Sequence, residues 1–167
     1  MAGTIQLKGN AELVKAIRNM AERFDSATLR KHVRAGGRVL VNEAKANASN
    51  ADVTGGVSHS IGIEASAKDE TGVVIGPRRG KKYPHGYIAH ILEKGAAPHL
   101  IKPKKKGVTL LKLPGGRFAP QVYHPGIQAT PFLRPAWDVK KDEVLLKIKQ
   151  GLAGELKAAA QTIAKYK

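Results

Sequence analysis

The sequence predicts an α+β fold: a mainly antiparallel sheet of about four strands, packed with two N-terminal helices and one long C-terminal helix. Apolar residues recur every three or four positions up to residue 48 and again beyond residue 131, which is helical spacing. Between those limits they alternate with polar ones, and Gly- and Pro-rich turns divide the segment into short runs. A chain of 167 residues, 42% of them hydrophobic, is the size of one domain with a true core. No linker-like stretch or solenoid repeat divides it. Residues 1–167 are therefore expected to form a single domain with a helical zone (1–48), a sheet and basic hairpin zone (54–127) and a C-terminal helix (131–167).

Asn10 is placed to cap the first helix, on which Leu13, Ile17, Met20 and Phe24 share a face. A second start at Asp25-Ser26 leads into Leu29, Val33, Leu40, Ala44 and Ala48, one stripe that continues through Gly36-Gly37. Two glycines cost a helix about 2 kcal/mol in propensity, so they mark a kink, a break or a close crossing by another element. Ser49-Asn50-Ala51-Asp52 has turn chemistry. The pattern then alternates, with Val57, His59, Ile61 and Ile63 opposite Ser58, Ser60, Gly62 and Glu64, which predicts a half-buried strand. A turn at Lys68-Asp69-Glu70 returns it as Gly72-Val73-Val74-Ile75-Gly76. Tyr87 to Gly95 is too short to choose between a strand and helical turns. A further hairpin is expected where Val108–Leu113 and Phe118–Tyr123 flank Pro114-Gly115-Gly116. Pro135 suits the first turn of the last helix, whose apolar stripe is read as Leu145, Ile148, Leu152, Leu156, Ala159 and Ile163.

The charge narrows the partners. With 29 Lys and Arg against 13 Asp and Glu, the formal net charge is +16, which calls for nucleic acid, an anionic membrane or an acidic protein face. Met1 to Gly9 lacks a signal-peptide core, and no apolar run approaches the roughly 20 residues that span a bilayer. No membrane partner is expected, and the protein is expected to be made and kept in the cytoplasm or inside something assembled there. Cysteine is absent, which removes thiol catalysis, disulfides and Cys-based metal sites. Between Arg78 and Lys106 the sole acid is Glu93, and nearly all the basic residues fall in two loops: Arg78, Arg79, Lys81 and Lys82, then Lys102, Lys104, Lys105 and Lys106. These are the candidate interface or DNA-facing residues.

No catalytic or metal site is expected, and no cofactor. Gly76 to Lys82 follows a strand as a phosphate loop would, but only three residues lie between the glycines where four are needed, and Lys82 stands where a magnesium-binding hydroxyl belongs. His85, His90, His99 and His124 lie in one stretch with Glu93, without metal-ligand spacing. The adjacent acids Asp69-Glu70 and Asp142-Glu143 sit in a turn and on a lysine-rich helix. His59 points to the opposite face of its predicted strand from Ser58 and Ser60, so it cannot serve either as a base.

Three strings in order, with helices before and after, resemble the tail-completion or neck proteins of long-tailed bacteriophages, including the minor-tail-protein-Z-like group. They are Thr54-Gly55-Gly56-Val57-Ser58-His59-Ser60-Ile61, Tyr87-Ile88-Ala89-His90-Ile91-Leu92-Glu93-Lys94-Gly95, and Pro131-Phe132-Leu133-Arg134-Pro135-Ala136 after His124-Pro125-Gly126. Val53 stands immediately before Thr54, where that family usually has Asp; Asp52 is one residue earlier. The resemblance implies a virion structural protein of the neck, a non-enzyme that forms a ring, commonly six-fold. It would sit between the head connector or head-closure protein and the tail tube or tail terminator, near the passing DNA. Within the motifs, Thr54 and Ser60 are read as turn and cap residues, Gly55 and Gly95 as backbone-conformation residues, and Glu93 and Arg134 as salt-bridge partners. Pro131 and Pro135 would fix the start of the last helix. The competing expectation is a nucleic-acid-binding protein that uses its basic loops on phosphates without reading bases; a phage-encoded hydrolase or nuclease is a distant third.

Overall fold

The computed structural model describes residues 10–51, 55–104 and 109–164. Thr54, Lys105 and Lys106 lie outside the described residues, as do Asp52, Val53, Val108 and the side chains of Leu13, Ile17 and Ile163.

Helix α1 (Asn10–Arg23) is followed by α2 (Ser26–Ala51), whose start is capped by Asp25 through a 2.7 Å bond from the Thr28 N–H. Helix α2 runs unbroken through Gly36 and Gly37, and both glycines mark close crossings. A Cβ on Gly36 would lie 2.7 Å from Ile148 Cγ1 and 2.9 Å from the Val144 carbonyl of α5 (Leu133–Ala164). A Cβ on Gly37 would lie 2.6 Å from Ile63 Cδ1 and 3.1 Å from Ile75 Cδ1. One turn of α2 thus touches the C-terminal helix on one side, where a side chain at Gly36 would meet backbone, and a β-hairpin on the other, where one at Gly37 would push on the ends of two isoleucines.

That hairpin is antiparallel, β1 (Ile61–Ala65) with β2 (Val73–Pro77), in a register that places Ile63 opposite Ile75. Its turn is closed by Asp69, which accepts from the Thr71 N–H and hydroxyl at 2.8 Å each. The strand expected from Val57 onward begins later. Residues Gly56–Ser60 form a short helix, α3, because Gly55 at φ +68 starts a turn that the His59 N–H closes onto the Gly55 carbonyl. Alternation misled here: Val57, Ser60 and Ile61 are buried together, a spacing of three and four.

Tyr87 to Gly95 resolves as helix α4 (Ala89–Lys94). Four more short strands lie beyond it, and with β1 and β2 they form three two-stranded antiparallel ladders, with no single sheet among the described residues. β3 (His99–Ile101) pairs with β6 (Val122–His124), and β4 (Leu111–Lys112) with β5 (Phe118–Ala119) around a 3-10 turn at Pro114–Gly116. The expected strand from Phe118 to Tyr123 is divided at Pro120, which has no N–H to donate to a ladder.

The core collects Leu40, Val41, Ala44 and Ala48 of α2, Val57, Ile61 and Ala89, and Phe132, Ala136 and Val144 at the start of α5. The α5 stripe differs from the expected one. Leu145 and Leu156 are exposed, the face toward α2 is Ala136, Val144 and Ile148, and Ala159 is buried nearer the end of the helix. Apolar residues occupy more than one side of α5, so sequence spacing could not choose the buried side; the crossing at Gly36 does. His32 reinforces the choice: its ring packs where a side chain at Gly151 would stand, and its Nε2 lies 3.1 Å from Glu155 Oε1.

Candidate interaction surfaces

Glu93 organises the junction between α4 and α5. Its Oε2 accepts from the N–H groups of Phe132 at 2.8 Å and Leu133 at 3.0 Å, and its Oε1 from that of Arg134 at 3.2 Å. These are N–H groups that a helix start leaves without partners, and the positive end of the helix dipole favours the carboxylate there. Glu93 and Arg134 do meet, but through the Arg134 backbone rather than its exposed guanidinium. The Thr130 N–H donates to the Leu92 carbonyl at 2.7 Å, and Asn47 reaches the Phe132 carbonyl at 3.3 Å, so α2, α4 and the start of α5 are tied together. Pro131 is exposed just before this start, and Pro135 lies in the first turn of α5.

From this junction an arm projects. Ala96 and Ile127 exchange two backbone hydrogen bonds of 2.9 Å at its root, flanked by Gly95 at φ +73 and Gly126 at φ +90. A Cβ at Gly95 would come within 2.8 Å of the Ile127 carbonyl, so the close approach and the positive φ both require glycine. Further out, His99 and His124 face each other with ring centroids 5.2 Å apart, followed by the β3–β6 and β4–β5 pairs and the tip at Pro114–Gly116. Nine residues separate Ile101 from Leu111 on the outgoing limb, and two separate Ala119 from Val122 on the return. The excess is the second basic loop. None of the described residues in 97–131 is buried, so the arm adds nothing to the core.

The first basic loop divides in two. Arg78 is turned inward: its backbone N–H and its Nε donate to the Ser60 carbonyl at 2.9 and 3.2 Å, and its guanidinium lies 4.1 Å from the Tyr83 ring centroid. It packs over Gly62 and bolts the end of β2 to α3. Arg79, Lys81 and Lys82 are exposed, as are Lys102 and Lys104 on the arm. Among the described residues no hydrogen bond, ion pair or ring contact joins the two basic loops. Ser60, fully buried, donates to the Val57 carbonyl at 2.6 Å, and His59 stacks obliquely 5.6 Å from Tyr83. No three His, Asp or Glu side chains among the described residues converge to hold a metal ion, and no described helix is long and apolar enough to cross a membrane.

Sequence reasoning did not anticipate the His32–Glu155 pair or the exposed apolar side chains of the arm. The first joins residues far apart in the chain and has no local signal. The second was visible as alternating Leu, Ile, Phe and Tyr, which local pattern alone assigns to a core.

A family model described as "Bacteriophage HK97-gp10, putative tail-component" matches residues 11–95, just over half of the chain. No curated protein and no solved structure gives a match.

Proposed function

The chain belongs to the HK97-gp10-like family of bacteriophage tail components, and from that premise we propose that it is a ring-forming subunit of the neck, completing the tail and joining it to the head. A phage tail component has its place in the virion; assembly would occur in the host cytoplasm. The observation that carries the finer reading is the arm: a projection with no buried residue among those described, rich in cations and exposed apolar side chains, is a contact element and not a catalytic one. A ring subunit needs two unlike surfaces, one toward each neighbour, and faces toward the connector or head-closure protein and toward the tail tube or terminator. The basic loops support contact with acidic neighbours or with DNA passing through the ring, since +16 per subunit multiplies around it.

Complementation tests this. A phage deleted for the gene should make filled heads and finished tails that stay apart, and the intact protein should restore joining; normal virions without it would refute the reading. Changing Lys104, Lys105 and Lys106 together to Ala should reduce joining while leaving the melting temperature within about 2 °C, since lysines of an interface patch carry little folding energy. The exposed cations also favour a second reading, phosphate binding without base readout. Duplex-DNA affinity with a steep salt slope, in a protein that ignores both tails and connectors, would select it instead.

A further inference from the structure

We propose that the arm of one subunit docks on the outward face of α5 in a second copy of the chain, apolar strip against apolar strip and basic edge against acidic edge. The inference deepens the ring reading above and rests on it for the closure of the assembly, though not for the contact itself.

The arm carries one half of the contact. Leu100 and Tyr123 are opposite each other in the β3–β6 register, so both side chains stand on the same face, and they are 52% and 64% exposed. Phe118, nearer the tip, is 61% exposed. The subunit therefore does not cover these side chains itself. The whole stretch between Glu93 and Asp138 contains no acid, and the described part of the arm carries Lys102, Lys104, Lys112 and Arg117.

α5 carries the other half. Asp138, Val139, Asp142, Leu145 and Leu146 recur at helical spacing away from the Ala136–Val144–Ile148 side that packs on α2. Val139 is 69% exposed and Leu146 54%. Two of the acids on this helix already have cationic partners, Glu143 in Lys140 at 2.8 Å and Glu155 in Lys31 at 3.6 Å. Asp138 and Asp142 are exposed and have no ion pair among the described residues. Lys149 follows on the same side, which confines the acid-edged strip to residues 138–146. An apolar strip edged by unneutralised acid is unusual on so basic a chain, and it complements an apolar arm edged only by base. Nucleic acid would satisfy the cations of the arm but would repel the α5 strip. A second copy satisfies both. Because the two surfaces differ, the contact is head-to-tail, the kind that closes into a ring or continues as a filament.

The absence of cysteine makes the test direct. Full-length Leu100→Cys and epitope-tagged Leu146→Cys chains are mixed at millimolar concentration and treated with a short bismaleimide. Mixed tagged–untagged adducts should exceed either same-variant adduct by about tenfold, as a head-to-tail contact requires. Adding Asp142→Lys to the tagged chain should cut the yield about three- to tenfold, and Lys112→Glu with Arg117→Glu in the other should restore part of it. Predominance of Leu100→Cys self-adducts would replace the proposal with a symmetric arm–arm contact. A mixed yield no greater than that of a Lys68→Cys control in the β1–β2 turn would also overturn it. Native mass spectrometry separates this from the ring reading. Mixed adducts in open-ended oligomers would support the arm contact and refute the ring, whereas a closed ring without the mixed adduct would support the ring and refute the arm contact.

Discussion

At Glu93 one carboxylate takes three backbone N–H groups at the start of α5, each at 3.2 Å or less. Replacing it with Ala leaves those donors to compete for water at a half-buried junction and removes the charge that the helix start favours. Glu93→Ala should cost about 1–3 kcal/mol in urea unfolding, and Glu93→Gln about half of that, since an amide oxygen still accepts but carries no charge. The motif resemblance paired Glu93 with Arg134 and missed which atoms meet, because capping depends on where a helix begins and the motif does not fix that to one residue. Arg78 shows the same limit. Its position in a basic run says nothing of the Ser60 carbonyl and Tyr83 ring that hold it.

Between elements, the α2–α5 crossing sets two expectations. Gly36→Ala gains about 1 kcal/mol of helix propensity, yet its methyl would stand 2.7 Å from Ile148 Cγ1, so overpacking by about 1–3 kcal/mol should prevail and lower the unfolding midpoint. Gly154→Ala on the open side of α5, where a Cβ meets nothing within 4 Å, should raise it by about 0.5–1 kcal/mol. The second expectation concerns pH. The hydrogen bond from His32, with Lys31 nearby, holds the Glu155 carboxyl below its ordinary value of 4.5. A carboxylate with a lowered folded pKa stabilises the fold above the unfolded value, and that contribution disappears as pH falls through the folded one. Glu155→Gln should therefore be less stable than the parent chain near neutral pH, with a gap that narrows below about pH 4.5 and closes in stronger acid; urea midpoints across that range measure it. The three long helices and the β1–β2 hairpin were legible because each has ten or more residues of periodic signal or a polar turn between apolar runs. The α3 turn and the buried side of α5 were not, since five residues fit either period and α5 offers several apolar sides to choose from.

For the whole molecule, the division is between a helix-and-hairpin body and an arm that shares none of its core. Replacing residues 98–125 with a short Gly-Ser linker, keeping the Ala96–Ile127 bridge, should shift the melting temperature by no more than about 3 °C in calorimetry, because none of the described residues removed is buried. The α+β class and the helices at each end followed from periodicity across the chain. That the middle is three short ladders instead of one sheet did not, because strand partners are chosen by tertiary geometry and each run is only two to five residues long.

The α2–α5 crossing also bears on synthesis. About eighty residues separate the end of α2 from the start of α5, and the two helices supply most of the core. At roughly 5–20 residues per second a ribosome needs several seconds to cover that distance, during which α2 can meet α3 and the β1–β2 hairpin but not the helix that covers its Gly36 side. The body can close only after α5 emerges, so a prematurely terminated chain exposes that face and is a substrate for proteases instead of a defective competitor in assembly.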